Sequence, residues 1–314
     1  MTISAEKILP EPSLTEVADG VFAYLQPDGG WCVSNAGLVV SDGVAALVDT
    51  AATEARTRLL REHVTADGRP APAVLVNTHS HGDHTFGNHL FPEATIFAHA
   101  HARNEMDRAG LHLTELWPGV VWGDVRVALP QVTYRDPVTV HVGGLAVELV
   151  PVGPAHTTND TVVWVPERGV LFTGDIVMSG VTPFCPLGSI AGSLRAVDEL
   201  RRFGATTLVT GHGPVGGPEI LDVAERYLRW VRDLAREGVA AGSTPLEVAR
   251  AADLGPFAEL KEPERLVPNL HRAFAEERST ALGEELDIVA MAREMGVIFQ
   301  EMVTYKGEPL SCCA

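Results

Sequence analysis

His79, His81, Asp83 and His84 fall within one short segment, Asn77-Thr78-His79-Ser80-His81-Gly82-Asp83-His84. Packing gives no reason to gather three imidazoles and a carboxylate so closely. The segment follows directly on the apolar run Ala73-Val74-Leu75-Val76, which reads as a strand. A strand that ends in such a loop delivers nitrogen and oxygen ligands to a borderline cation, and zinc suits that donor set best.

Three later segments share the design of an apolar strand followed by a turn with one possible ligand. Leu149-Val150-Pro151-Val152-Gly153-Pro154-Ala155-His156 presents His156, Val170-Leu171-Phe172-Thr173-Gly174-Asp175 presents Asp175, and Leu208-Val209-Thr210-Gly211-His212 presents His212. Glycine lets the backbone turn sharply and approach an ion. Singly, a Thr-Gly-Asp or a Gly-His-Gly is an ordinary turn. Behind the first cluster, in this order, the set is specific. The remaining histidines (His63, His89, His99, His101, His112, His141 and His271) follow no such pattern and are left outside the site.

Elements must hold these turns in place. Short apolar runs bounded by Gly, Pro and Asp read as strands at Val21–Leu25, Ala36–Val40, Ala45–Val48, Val74–Asn77, Thr95–Ala98, Leu145–Pro151, Val162–Val165, Val170–Thr173 and Thr207–Thr210. Helical spacing appears over Thr53–Thr65 and Ser193–Phe203, and strands alternating with helices argue for α/β layers. After Pro218 the pattern turns helical over Glu219–Glu237, Pro263–Glu277 and Thr280–Tyr305. The chain therefore divides into a catalytic core over 1–217 and a helical extension over 218–314. That extension could cap the ligand end of the sheets or mediate a homo-oligomer.

The 314 residues suffice for a large core, and 46% hydrophobic with 21% charged residues is ordinary for a globular protein. A net charge of −17 repels phosphate backbones and argues against nucleic acid as a substrate. No apolar stretch is long enough to span a bilayer, and Met1 to Leu14 does not read as a secretory signal, so a cytoplasmic protein is expected. Cys32, Cys185, Cys312 and Cys313 form no CxxC pair and are expected to be free thiols.

The ordered set HxHxDH, His156, Asp175 and His212 resembles the ligand pattern of the metallo-β-lactamase superfamily. The resemblance implies a four-layered αβ/βα sandwich with a metal site at one edge of two sheets. It implies that His79, His81 and His156 bind one zinc, that Asp83, His84 and His212 bind a second, and that Asp175 bridges them. Asp49 matches a carboxylate that holds the ligand loop, and Asp160 is expected to accept from a ligand imidazole. Further segments, Gly30-Trp31-Cys32-Val33-Ser34-Asn35-Ala36-Gly37, Leu116-Trp117-Pro118, Val177–Phe184 and Tyr227-Leu228-Arg229-Trp230-Val231, look like the cyclase/thioesterases of bacterial aromatic (type II) polyketide pathways, the actinorhodin type.

That resemblance implies an enzyme of antibiotic biosynthesis that closes a ring on an acyl-carrier-protein-bound, partly cyclised polyketide and cleaves its thioester. Asp83 is the candidate for proton transfer. A flat substrate calls for a slot with aromatic walls, for which Trp31, Trp117, Met178 and Phe184 are the candidates, with Trp122 as a further one. Trp230 is expected only to pack on its helix. Arg226, Arg229, Arg232 and Arg236 share one helix face, which reads as a solvated surface before it reads as a carrier dock. The nearest rival is another hydrolase of the same fold acting on small thioesters, lactones, esters or β-lactams. An iron oxidoreductase and an inactive scaffold are more distant rivals.

Overall fold

Apolar residues at nearly every position of Ala36–Ser41, Val44–Val48 and Val74–Val76 demand a sheet covered on both faces. The computed structural model, which describes residues 10–282 and 288–314, supplies both covers. A first sheet runs β1 (Ser13–Ala18), β2 (Val21–Leu25), β3 (Ala36–Ser41), β4 (Val44–Val48), β5 (Val74–Val76), β6 (Thr95–His99) and β7 (Val132–Tyr134) in that order. Leu38, Leu47 and Leu75 point outward onto Leu60 and Val64 of α1 (Glu54–Thr65). Their neighbours Val39, Ala46 and Val76 point inward, as strand alternation requires.

The inward side chains meet a second sheet, ordered β12 (Thr207–Thr210), β11 (Val170–Gly174), β10 (Thr161–Val165), β9 (Leu145–Pro151) and β8 (Val138–Val142). Val163, Phe172 and Val209 fill the space between the sheets. Their neighbours Val162, Leu171 and Leu208 face the far side. A short α2 (Gly82–Thr85) follows the turn after β5, α3 (Ala100–Ala109) packs on β6 and β7 of the first sheet, and α4 (Leu113–Leu116) borders the far-side cluster; the cover of that side is the later helices α5 (Ile190–Arg202), α6 (Glu219–Ala241), α7 (Pro245–Ala251), α8 (Leu266–Leu282) and α9 (Ile288–Lys306). Leu194, Tyr227, Leu228, Leu270 and Phe274 join one hydrophobic cluster with the sheet. The order helix, sheet, sheet, helix is the expected sandwich, with the C-terminal helices packed on it.

Three strands escaped the sequence pattern. β1, β7 and β8 expose much of their length and carry polar residues, so the apolar signal is weak. Helices α3 and α7 were also not anticipated. The helix expected over 280–305 lies partly on 283–287, outside the described residues, and is seen from Ile288 onward. Among the described residues, no helix is long and apolar enough to cross a membrane.

Candidate metal centre and substrate cavity

β9 and β11 are both antiparallel to β10, and β12 is parallel to β11. The turns after all three therefore leave the same edge of the second sheet and carry His156, Asp175 and His212. The turn after β5 joins them from the first sheet, where Thr161 N donates to Thr78 O at 2.8 Å. All seven expected ligands converge there. Their donor atoms form the groups His79–His81–His156, His79–His84–Asp175 and Asp83–His84–His212, each with all atoms within 4.8 Å of one another. Asp175 stands between the halves: Oδ1 is 3.2 Å from His84 Nε2, and Oδ2 is 3.3 Å from His212 Nε2 and 3.6 Å from His156 Nε2. Asp83 Oδ2 lies 3.4 Å from His212 Nε2.

The ring orientations are fixed from outside. His84 Nδ1 meets Asp49 Oδ2 at 2.9 Å, and His212 Nδ1 donates to Gly29 O at 3.1 Å. His156 Nδ1 donates to Phe184 O, and His79 Nδ1 meets Thr78 Oγ1 at 3.0 Å. With Nδ1 engaged on an acceptor, each Nε2 is left to face the cluster. Asp49 also accepts from Thr78 N and Thr78 Oγ1 at 2.8 and 2.7 Å, so it holds the ligand loop as expected. The close approach behind His212 needs glycine: Gly213 has φ +85°, and a Cβ there would sit 1.8 Å from Ser179 O.

Charge is divided between the halves. Burial pushes His79 and His81 below the ordinary histidine range and His156 down to about 3, so these rings are neutral. Burial acts the same way on His84 and His212, but the Asp175 and Asp83 carboxylates outweigh it and raise His212 to about 9. Burial in turn would raise Asp83 and Asp175, and the same two imidazoles hold them low. Three neutral rings beside two buried carboxylates make a cation site. His79 Nε2 is buried without a hydrogen-bond partner, which is costly unless an ion satisfies it. The residues present therefore fit a metal.

The family profile of the metallo-beta-lactamase superfamily matches residues 29–212, a span that contains all seven side chains. The chain belongs to the metallo-beta-lactamase superfamily. A metallo-beta-lactamase type 2 of Bacteroides fragilis is 26% identical over 233 residues, 71% of this chain and 87% of its own length. The type 2 enzyme of Bacillus cereus is 30% identical over 202 residues, 61% of this chain and 72% of its own. The structure of a metallo-beta-lactamase from Pontibacter korlensis shares the fold, with a TM-score of 0.57 at 20% identity, covering 70% of this chain and 99% of that one. The protein is thus a hydrolase of the metallo-beta-lactamase superfamily with a candidate metal-binding cluster.

In this superfamily member the cluster opens into a cavity of about 900 Å³. Trp31, Trp117, Met178 and Phe184, the four side chains expected to hold a flat substrate, all line it. Trp31 lies 5.5 Å from Trp117 and 5.2 Å from Phe184 between ring centres, in tilted and edge-to-face contacts. Trp122 does not line the cavity. It packs on Phe86 and donates Nε1 to Trp117 O at 3.2 Å, so it supports the wall from behind. Trp230 packs on Tyr227 and Phe257, as expected.

Asp160 corrects an expectation. It touches no imidazole; it accepts from Ala155 N, Thr157 N and Thr157 Oγ1 at 3.1, 2.9 and 2.6 Å, closing the turn that presents His156. Burial raises its carboxyl to about 7 against those bonds. Arg229 pairs with Glu225 and Arg236 with Asp233 along α6, as on a solvated face. The C-terminal extension, one of whose expected roles was to cap the ligand end of the sheets, lines the cavity with Arg265, Phe299 and Met302, residues that the sequence pattern did not single out. Nothing local signals this, because Lys261-Glu262-Pro263-Glu264-Arg265 reads as a solvent-facing helix start.

Proposed function

We propose that this protein is a zinc-dependent thioesterase and cyclase acting on a partly cyclised aromatic polyketide thioester, carrier-bound or free. The observation that carries the reading is a seven-ligand cluster opening into a large aromatic-walled cavity. About 900 Å³ lies near the upper end of the ~300–1,000 Å³ usual for small-molecule sites. That is room for several fused rings. His79, His81 and His156 would hold one ion, Asp83, His84 and His212 the other, and Asp175 both. When bound, such a pair acidifies water and draws electrons from a carbonyl.

The chain's own residues do the rest. Trp31, Trp117, Met178 and Phe184 bind the ring system and exclude water from one side of it. Asp83, which lines the cavity, is assigned to proton transfer. In hydrolysis, water adds to the thioester carbonyl, the C–S bond breaks, and the thiol leaves with a proton. In ring closure, a proton leaves the carbon between two carbonyls, that carbon bonds to a second ketone of the same chain, and loss of water completes the ring.

The names of the Bacteroides and Bacillus relatives favour a second reading, a hydrolase of β-lactams or of small lactones, esters or thioesters. One experiment separates the two. Purified protein is offered a bicyclic polyketide thioester mimic, a small acyl thioester and a β-lactam, each with and without chelator, and thiol release and ring closure are followed separately. Chelator-sensitive turnover of the bicyclic thioester is expected. Turnover of only the small substrates or the β-lactam would overturn the first reading.

A further inference from the structure

Trp31 is held by a part of the chain more than two hundred residues away. Its backbone N–H donates to Glu262 Oε1 at 2.5 Å, and its indole Nε1–H donates to Glu264 Oε1 at 3.1 Å. The Arg265 guanidinium lies over the same indole, 4.1 Å from the ring centre, and 5.6 Å from Phe184. One contact on the backbone and two on the indole fix the residue's position and the plane of its ring.

The arrangement is expensive to build, which argues against incidental packing. Glu264 is 0% and Arg265 2% exposed, and buried ions cost stability unless paired. Arg265 pairs with Glu262 and reaches Met178 Sδ and Thr182 O, and Lys306 Nζ stands 3.3 Å from Glu264 Oε1. Glu262 also holds φ at 58°, and Cys32, next to Trp31, at 60°; side chains rarely adopt such values unless their surroundings dictate them. An apolar helix start would have packed here without these costs. The same segment continues the aromatic wall, because Phe299 of α9 lies 5.8 Å from Trp117.

We infer that Glu262, Glu264 and Arg265 are positioning residues that hold Trp31 as the rigid wall for a flat, multi-ring substrate, so that the C-terminal segment and not the metal-bearing turns selects substrate shape. The inference rests on the thioesterase reading above for its substrates, and its test is arranged to stand apart from it. A small acyl group can reach the cluster without lying on Trp31. A fused ring system that fills the cavity meets Trp31, which lines it.

The test compares Glu264→Ala with Glu264→Gln, which keeps an acceptor for the indole N–H. KM and kcat are measured for a bicyclic aromatic thioester and for the acetyl thioester of the same thiol, with metal content checked in each protein. Glu264→Ala should raise KM for the bicyclic substrate about tenfold and leave kcat and the acetyl thioester within about twofold, while Glu264→Gln stays near the parent. Equal losses on both substrates, or a Gln variant as impaired as the Ala variant, would overturn the inference. If the parent protein cleaves neither thioester, the proposed function fails and calorimetric binding of anthraquinone-2-carboxylate decides this point alone. About tenfold weaker binding to Glu264→Ala supports it, and unchanged binding or no binding to the parent refutes it. Should Glu264→Ala not fold, Glu264→Leu, which keeps the side chain's bulk and removes the acceptor for the indole N–H, is measured in its place against the same outcomes.

Discussion

Asp49 belongs to none of the three candidate ligand groups, yet it reaches both halves of the cluster. It accepts directly from His84 Nδ1, and through Thr78 Oγ1 it meets His79 Nδ1. Replacing it with Asn leaves one carbonyl oxygen where two carboxylate oxygens now serve three donors. Asp49→Asn should weaken metal binding about 10–100-fold, read by competition with a chromogenic chelator. Affinity equal to the parent would show that the loop holds itself. The seven clustered side chains were legible in the sequence because metal chemistry restricts the residue types and the turns that would carry ligands. Glu262, Glu264 and Arg265 were not, since their contacts with Trp31 span 231 and 233 positions, and charges before an apolar helix look like surface.

The elements were legible wherever apolar residues fill both faces of a strand. Leu145–Pro151 and Thr207–Thr210 sit within the double-faced core and coincide with their sequence patterns. Ser13–Ala18 and Val132–Tyr134 are edge strands with exposed positions, and hydrogen bonding to a neighbour defines them more than hydropathy does. The turn between β9 and β10 shows how an element can carry a ligand without touching metal. Asp160 closes that turn, so Asp160→Ala would strand the amide of Thr157, at about 1–3 kcal/mol for the buried donor, and leave Ala155 N with Thr157 O alone. A lower denaturation midpoint is expected, together with loss of the ion held by His156 and retention of the one held by Asp83, His84 and His212. Loss of both ions together, or of neither, would show that the turn does not position His156 independently.

At the scale of the molecule, two sheets and a helical extension converge on one cavity. The first sheet supplies His79, His81, Asp83 and His84 from the turn after β5, and the second supplies His156, Asp175 and His212. The extension supplies Arg265, Phe299 and Met302 to the cavity wall. An ion that binds only the folded chain stabilises it by mass action. The direct measurement is zinc per chain, by native mass spectrometry and elemental analysis, after equilibration with zinc and removal of the excess. Two ions are expected in the parent protein, one after Asp83→Ala or His212→Ala, and a single remaining ion after His81→Ala. A parent chain that retains no zinc, or a count that these substitutions leave unchanged, would contradict the account.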